Sequence, residues 1–370
     1  MTEMILLGAG ASAEADVPTS YAMSREMYPR FQELILPGMR NDYARAFAFI
    51  IGGLRFQQSV NWGDPYADVD VETLLSAVSA LSDNARYTSE VAQFIQTWHP
   101  LISEFDNVPR LKGEAGIFDQ VAAIMRQMLV DIVWVEETAK VAYLMPLLSL
   151  LRRQIRLVIA TLNYDNTVEL LTQTHGVVCD TGIERWSETR TFDFAEDGLH
   201  LLKLHGSVDW ELIYESSTAT KPMMVTGLRT LSGQDMRQRK AIRHDENFFA
   251  RRKGLYEPAV IFGERNKLTA EGPFLDLLHA FKRELAASDR LTVIGYSFRD
   301  EHINTCIAHW LHTDARHRLR IITRNFNENQ TEFALKLREE AAGCIEVISA
   351  KASAGLEQVF GVYEDANAHA

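Results

Sequence analysis

The apolar positions change rhythm along the chain. Met4-Ile5-Leu6-Leu7 is a short apolar run closed by Gly8, the pattern of a strand buried on both faces. Gly8-Ala9-Gly10-Ala11-Ser12 follows at once, and then a helix-like stretch interrupted at Pro18. From about Ser20 to Leu151 the spacing is helical. Ala44, Phe47, Ala48 and Ile51 recur at i, i+3, i+4, i+7, and Ile117, Val121, Ile124, Met125, Met128 and Ile132 mark a longer helix. Asp70 and Glu72 precede Leu74-Leu75 at a helix start, where the helix dipole favours acids. Strand signals are almost missing from this block, so it reads as a helical insertion after the first strand.

Short apolar runs then alternate with helical stretches. Strands are expected at Arg156–Ala160, Leu201–Leu204, Trp210–Tyr214, Val260–Phe262, Leu291–Ile294, Leu319–Thr323 and Ile345–Ile348. Helices are expected at Asp165–Thr174, Phe274–Leu285, Glu301–Leu311 and Thr331–Glu340, with a short helix closing the pattern. Such alternation predicts an α/β fold with a Rossmann-like parallel sheet covered on both faces. The sheet domain takes residues 1–20 and 152–370, and the helical insertion 21–151. Residues 216–255 are polar and uneven and read as an irregular lid or interaction segment.

Composition narrows the function classes. A 46% apolar and 24% charged chain of 370 residues is an ordinary globular mix. Its net charge of −12 argues against a surface devoted to nucleic acid or an anionic membrane. The basic runs within residues 237–253 are the exception, as a solvated loop or a docking patch. Cys179, Cys306 and Cys344 form no C-x-x-C pair, so neither a zinc ribbon nor a disulfide framework is readable. No apolar run reaches the roughly 18 residues of a membrane span. The opening Met1-Thr2-Glu3 does not begin a secretory signal, and a cytoplasmic protein is expected. His302, His309, His312 and His317 invite a metal reading, but no carboxylate or cysteine accompanies them at ligand spacing. An amphipathic helix surface is favoured. Trp62, Trp98, Trp134, Met125 and Met128 read as insertion core.

Four motifs sit at expected strand ends, the edge where open α/β sheets bind ligands. In the first, Gly8 and Gly10 permit close backbone approach, and Ser12 adds a hydroxyl. A following helix would offer free N–H groups to phosphate. The third glycine of G-x-G-x-x-G is absent, since Ala13 and Glu14 follow Ser12, and a plain strand-to-helix turn is the alternative. The second is Thr161-Leu162-Asn163-Tyr164-Asp165. Asn163 and Asp165, two apart, share one side of an extended backbone and suit ribose hydroxyls and a carboxamide, or else cap the next helix. The third is Lys203-Leu204-His205-Gly206-Ser207. Imidazole exchanges protons near neutrality, so His205 is placed for a general base; a structural histidine is the alternative. The fourth runs from Gly295 through Ser297 and Asp300 to Asn304. Gly295 and Ser297 suit an adenosine half, or the segment is a loop in which Asp300 caps the next helix.

Taken in order, these motifs resemble the sirtuin superfamily, with its G-A-G-x-S opening, N-x-D, catalytic H-G and late G-x-S turn. The forms T-x-N-Y-D, L-H-G-S and G-Y-S-F-x-D-E-H-I-N look closer to the sirtuin-like NAD-consuming proteins of bacterial anti-phage systems than to deacetylases. The resemblance covers residues 4–18 and roughly 155–330. Two features depart from the deacylase pattern. Thr19-Ser20-Tyr21 follows Pro18 where deacylases carry Pro-Asp-Phe-Arg, and no cysteine lies between Cys179 and Cys306, where they usually carry a four-cysteine zinc module.

The resemblance implies an NAD+ hydrolase that releases nicotinamide and ADP-ribose, with NAD as substrate and no metal. It implies catalytic roles for Asn163, His205 and Asp165. It implies contacts to the dinucleotide from Gly8, Ala9, Gly10, Ser12, Thr161, Gly295 and Ser297. It further implies the effector of an abortive anti-phage response, a homo-oligomer, and a partner such as a HerA-type hexameric DNA-translocase ATPase. A non-catalytic module that holds NAD or ADP-ribose, or docks on nucleic acid, is the alternative of another class. NAD-dependent protein deacylation comes third.

Overall fold

The computed structural model describes residues 2–33, 41–61, 63–81, 99–107, 116–215, 224–242, 258–261, 272–326 and 331–361. The strands are β1 Glu3–Leu7, β2 Arg156–Thr161, β3 Cys179–Asp180, β4 Gly198–Lys203, β5 Trp210–Glu215, β6 Met224–Thr230, β7 Arg290–Ile294, β8 Arg318–Thr323 and β9 Ile345–Ser349. Seven of them form one sheet in the order β3-β4-β2-β1-β7-β8-β9, and every neighbouring pair is parallel. This is the α/β fold that the alternating pattern predicts. β1 lies between two runs that grow outward in opposite directions, so β1 and β7 flank a topological switch point.

The period of two along the strands sends alternate residues to opposite faces. Ile5, Leu7, Leu157, Ile159, Leu199 and Leu201 belong to one hydrophobic cluster. Met4, Leu6, Val158, Ala160, Leu202 and Val293 belong to the other. The first face is covered by helices from the block between β1 and β2: α1 Ser20–Glu33, α2 Asp42–Val60, α3 Val71–Ala80, α4 His99–Asp106, α5 Ile117–Val133 and α6 Pro146–Gln154. The face of α5 read from the sequence is buried as expected, from Ile117 to Ile132, and Met125 and Met128 lie in this core. That of α2 is rotated: Ala46, Phe47 and Ile50 are buried, while Ala48 is exposed. Alanine is too small to mark a face by itself. Asp70 caps α3, its side chain accepting from the Thr73 amide at 2.9 Å. Trp134 packs against the same core; Trp62 and Trp98 lie outside the described residues.

The chain after β2 supplies α7 Thr167–Thr174, α8 Ile183–Thr189, α9 Gly233–Ile242, α10 Phe274–Ala286, α11 Glu301–Thr313, α12 Glu332–Glu340 and α13 Ala352–Phe360. α8, α10, α11 and α12 line the second face. β5 and β6 form a separate antiparallel pair. Part of the segment expected to be irregular is therefore regular, as β6 and α9. Its serines, threonines and arginines hide a strand defined by pairing with β5. Val260 makes an isolated bridge to Gly206, and Phe262 lies outside the described residues. No described helix is long and apolar enough to cross a membrane.

Candidate functional site

The four motifs follow four adjacent strands. Leu7 is in register with Thr161 and with Ile294, and Thr161 is in register with Lys203. Gly8, Asn163, His205 and Gly295 therefore lie just beyond a single row of residues at the carboxyl edge of β1, β2, β4 and β7.

Backbone meets backbone at the switch point. Gly8 N donates to Ile294 O at 2.9 Å, and Gly10 N to Gly295 O at 2.8 Å. A Cβ at Gly8 would lie 2.5 Å from Tyr296 Cα, and one at Gly295 2.2 Å from Ala11 N. Gly295 also has φ near +62°, a conformation that L side chains avoid. Both glycine amides are thus committed to protein carbonyls. The expected helix N-terminus takes another form too: the loop continues as two short 3-10 turns, Ala9–Ala11 and Ala13–Ala15, and α1 starts only at Ser20. Pro18, with no N–H of its own, separates the turns from that helix. Ala9 and Gly10 remain half-buried, and Ser12 is buried. Ala13 stands where the third glycine is missing, and Glu14 after it accepts from Ser353 N and Oγ at 2.9 and 2.8 Å and so holds the start of α13.

Asn163 reaches back into this loop. Its Nδ2 donates to Gly8 O at 3.0 Å and to Ser12 Oγ at 2.9 Å. A carbonyl only accepts, so the amide orientation is fixed and Oδ1 is the atom left to meet a ligand. Thr161 Oγ1 accepts from the Asn163 amide at 3.0 Å. Asp165 lies apart from this arrangement. Its Oδ1 accepts from Thr167 N and Oγ1 at 3.0 and 2.6 Å, closing the turn into α7. Asn163 and Asp165 share a motif, but only Asn163 is bonded to the glycine loop.

The strand end at β4 carries buried charge. Lys203 is fully buried and pairs with Glu169 at 2.7 Å; its ammonium also bonds the Asp165 carbonyl. Desolvation pulls its pKa down, yet Glu169, Asp209 and Asp165 outweigh it and raise the pKa above the ordinary lysine value. Ser207 Oγ donates to Asp209. His205 Nε2 lies 2.9 Å from Asp300 Oδ2. The two residues are 5% and 6% exposed, and His205 Nδ1 is buried with no protein partner. Asp300 Oδ1 meanwhile accepts from His302 N and Ile303 N at 3.0 and 3.3 Å, capping α11. Asp300 thus does what the cap reading expects and also meets His205. Sequence reasoning gave Lys203, Glu169 and Asp209 no part in the site, because their pairing spans chain separations that no local pattern shows.

The helical block reaches the same edge. Tyr143 OH donates to Ala11 O. Asn166 and Val135 exchange bonds of 2.8 and 2.9 Å. Tyr164 OH bonds Glu72 at 3.1 Å and Ile261 O at 3.0 Å; burial first, then Glu72, pushes its pKa well above the ordinary tyrosine value. Ser297 is half-buried, and the exposed Arg299 beside it lies over the Tyr21 ring at 4.6 Å.

Other candidates lie elsewhere. A groove of about 590 Å³ opens between α10 and α11, lined in part by Leu278, His302, Cys306, His309, Trp310 and His317. None of the candidate site residues lines it. Among the described residues, no group of three or more His, Cys, Asp or Glu is placed to hold a metal ion. Of the basic runs, Arg237 to Ile242 lie in α9; Arg243 and Arg251-Arg252-Lys253 fall outside the described residues.

Among solved structures, the chain is similar to a Sir2 homologue in complex with NAD (12% identity, 97% of this chain and 87% of that one, TM-score 0.41). It is also similar to a mutant Sir2 homologue in complex with ADP-ribose (12%, 97% and 90%, TM-score 0.42). A third similar structure is a Sir2 protein bound to a propionylated peptide (11%, 97% and 91%, TM-score 0.37). A search of curated proteins finds no significant match. The SIR2-like domain family matches residues 157–344, slightly more than half of the chain, and covers the Asn163, His205 and Gly295 motifs. The chain belongs to the SIR2-like domain family.

Proposed function

We propose that the chain is an NAD+ glycohydrolase. The observation that carries this reading is the buried, unpartnered Nδ1 of His205, set beside Asn163 at a glycine-lined sheet edge. The nicotinamide of NAD+ is already a cationic leaving group. Cleavage of its bond to ribose C1′ therefore asks mainly for placement and for stabilisation of an oxocarbenium-like transition state. Water adds to C1′, nicotinamide leaves with the bonding pair, and one proton is released. Asn163 Oδ1 would accept from the water or a ribose hydroxyl, and His205 would take the proton as base. Asp165 would hold the carboxamide. Gly8, Ala9, Gly10, Ser12 and Thr161 would line the pyrophosphate side, and Gly295 and Ser297 the adenosine side. Because the Gly8 and Gly10 amides are in use, the glycines would serve by close approach rather than as donors.

The motif texture supports a wider setting: an effector of abortive anti-phage defence, cytoplasmic and homo-oligomeric, controlled by a partner such as a HerA-type ATPase. On this reading residues 1–20 and 152–370 form the NAD-binding unit, and 21–151 an inserted subdomain. Incubation with NAD+ and quantification of nicotinamide tests the chemistry. His205→Ala is expected to lower turnover by about 10²- to 10⁴-fold, the range of a lost general base, and Asn163→Ala by about 10²- to 10³-fold, the range of one lost hydrogen-bonding group in the transition state. Unchanged turnover in both would refute the site. Product that appears as O-acetyl-ADP-ribose only when an acetyl-lysine peptide is added would assign deacylation instead.

A further inference from the structure

His205 and Asp300 are 95 positions apart and meet at 2.9 Å. A carboxylate only accepts hydrogen bonds, so Nε2 carries the hydrogen and, in the neutral ring, Nδ1 holds the lone pair. Asp300 is itself fixed from several sides. Its Oδ1 caps α11. Its amide donates to Tyr296 OH at 3.1 Å, and Asn304, one turn into the helix, is bonded to that same hydroxyl at 2.9 Å. The carboxylate cannot swing away from His205 without uncapping the helix. Nδ1, the other ring nitrogen, is the buried atom without a partner.

We propose that Asp300 is a positioning residue for His205: its Oδ2 locks the Nε2–H tautomer, so that Nδ1 is the nitrogen that accepts the proton of water or a ribose hydroxyl. The catalytic step rests on the reading of His205 as base; the tautomer does not. One carboxylate thereby joins two tasks, holding the base with one oxygen and starting α11 with the other. The arrangement follows the general logic of a histidine oriented by a carboxylate behind it, here built from a helix cap.

Asp300→Asn separates these tasks. Asparagine caps a helix about as well as aspartate, so Oδ1 still serves α11 and the melting temperature should stay close to that of the wild type. The amide NH₂ now faces Nε2, which must become the acceptor, and the hydrogen moves to Nδ1. Nitrogen-15 NMR of histidine-labelled protein without NAD+ reads this directly, with the His205 signal assigned by its loss in His205→Gln. The expected result is Nε2–H in the wild type and Nδ1–H in Asp300→Asn, with turnover of NAD+ falling by about 10²- to 10⁴-fold at little change in KM. The same tautomer in both proteins would overturn the proposal, and so would an inverted tautomer with undiminished turnover. A wild type that never cleaves NAD+ would defeat the glycohydrolase reading alone, because the tautomer measurement stands without substrate. Asp300→Ala, which loses the cap as well, should differ from Asp300→Asn by also melting lower.

Discussion

Between β1 and β7 the sheet edge is a backbone contact, in which Gly8 and Gly10 lie against Gly295 and Tyr296 with no room for a side chain. Along β2 and β4 the same edge is a polar network of side chains: Asn163, Asp165, Glu169, Lys203, His205 and Ser207. The first region is specified by what must be absent, the second by what must be satisfied. They should therefore fail differently. A methyl group breaks the first, whereas an unpaired charge breaks the second.

Gly295→Ala makes the largest break. A left-handed conformation costs a non-glycine residue about 1–2 kcal/mol, and forced overpacking adds about 1–3 kcal/mol. Backbone lies on the far side of the clash, so a total near the top of that range, about 4–5 kcal/mol, is expected in chemical denaturation. Gly343→Ala, where a Cβ meets nothing within 4 Å, should stay within about 0.5 kcal/mol. Equal losses at the two positions would remove the backbone contact from the comparison.

The buried pair should break asymmetrically. The Lys203 side chain is 0% exposed and that of Glu169 24%. Glu169→Ala strands an ammonium that water does not reach, and an orphaned buried charge costs about 3–5 kcal/mol. Asp209 and Asp165 stand close enough to soften this, so the loss should fall near the lower end. Lys203→Met leaves a carboxyl that water reaches and that burial already predisposes to protonate. It should cost about 1.5–2 kcal/mol, the lower part of the range of a lost hydrogen bond to a charged group. The reverse order would mean that Glu169, not Lys203, is the charge held by the fold.

The smallest effect sits in the middle of β4. His200 is 2% exposed. Desolvation first, then Arg156, lowers its pKa, and Asp180 only partly opposes them. The folded state thus favours neutral imidazole, while the unfolded chain protonates below about pH 6.5. The contribution of this residue is complete above that pH and is lost as pH falls through the unfolded value towards the folded one. Unfolding free energy should therefore decline from pH 7 to pH 5 more steeply in the wild type than in His200→Phe, which keeps a ring beside Phe194, now 4.9 Å away. Parallel pH profiles would show that His200 protonates as freely in the fold as outside it.

The same contrast explains what could be read from the chain. Strand ends and their order were legible because β1, β2, β4 and β7 are apolar runs closed by glycine or by a polar turn. The contact of Gly295 with the first loop was not, because it joins residues 285 positions apart. β3 is two residues long, too short to show a period. The cap at Asp300 was visible from its place before a helix, but the partner of its second oxygen was not, since that histidine lies in the turn after β4, 95 positions away. Lys203 sat in a quoted motif, yet nothing local indicates that it is wholly buried.

The three glycines at the switch point also divide the positions open to evolutionary change from those closed to it. No single substitution at 8, 10 or 295 leaves the neighbouring backbone in place, so relatives that keep this contact have no side-chain vocabulary there. Variation in what this edge presents is channelled onto the flanking half-buried or exposed positions: Ala9 on one loop, Ser297 and Arg299 on the other.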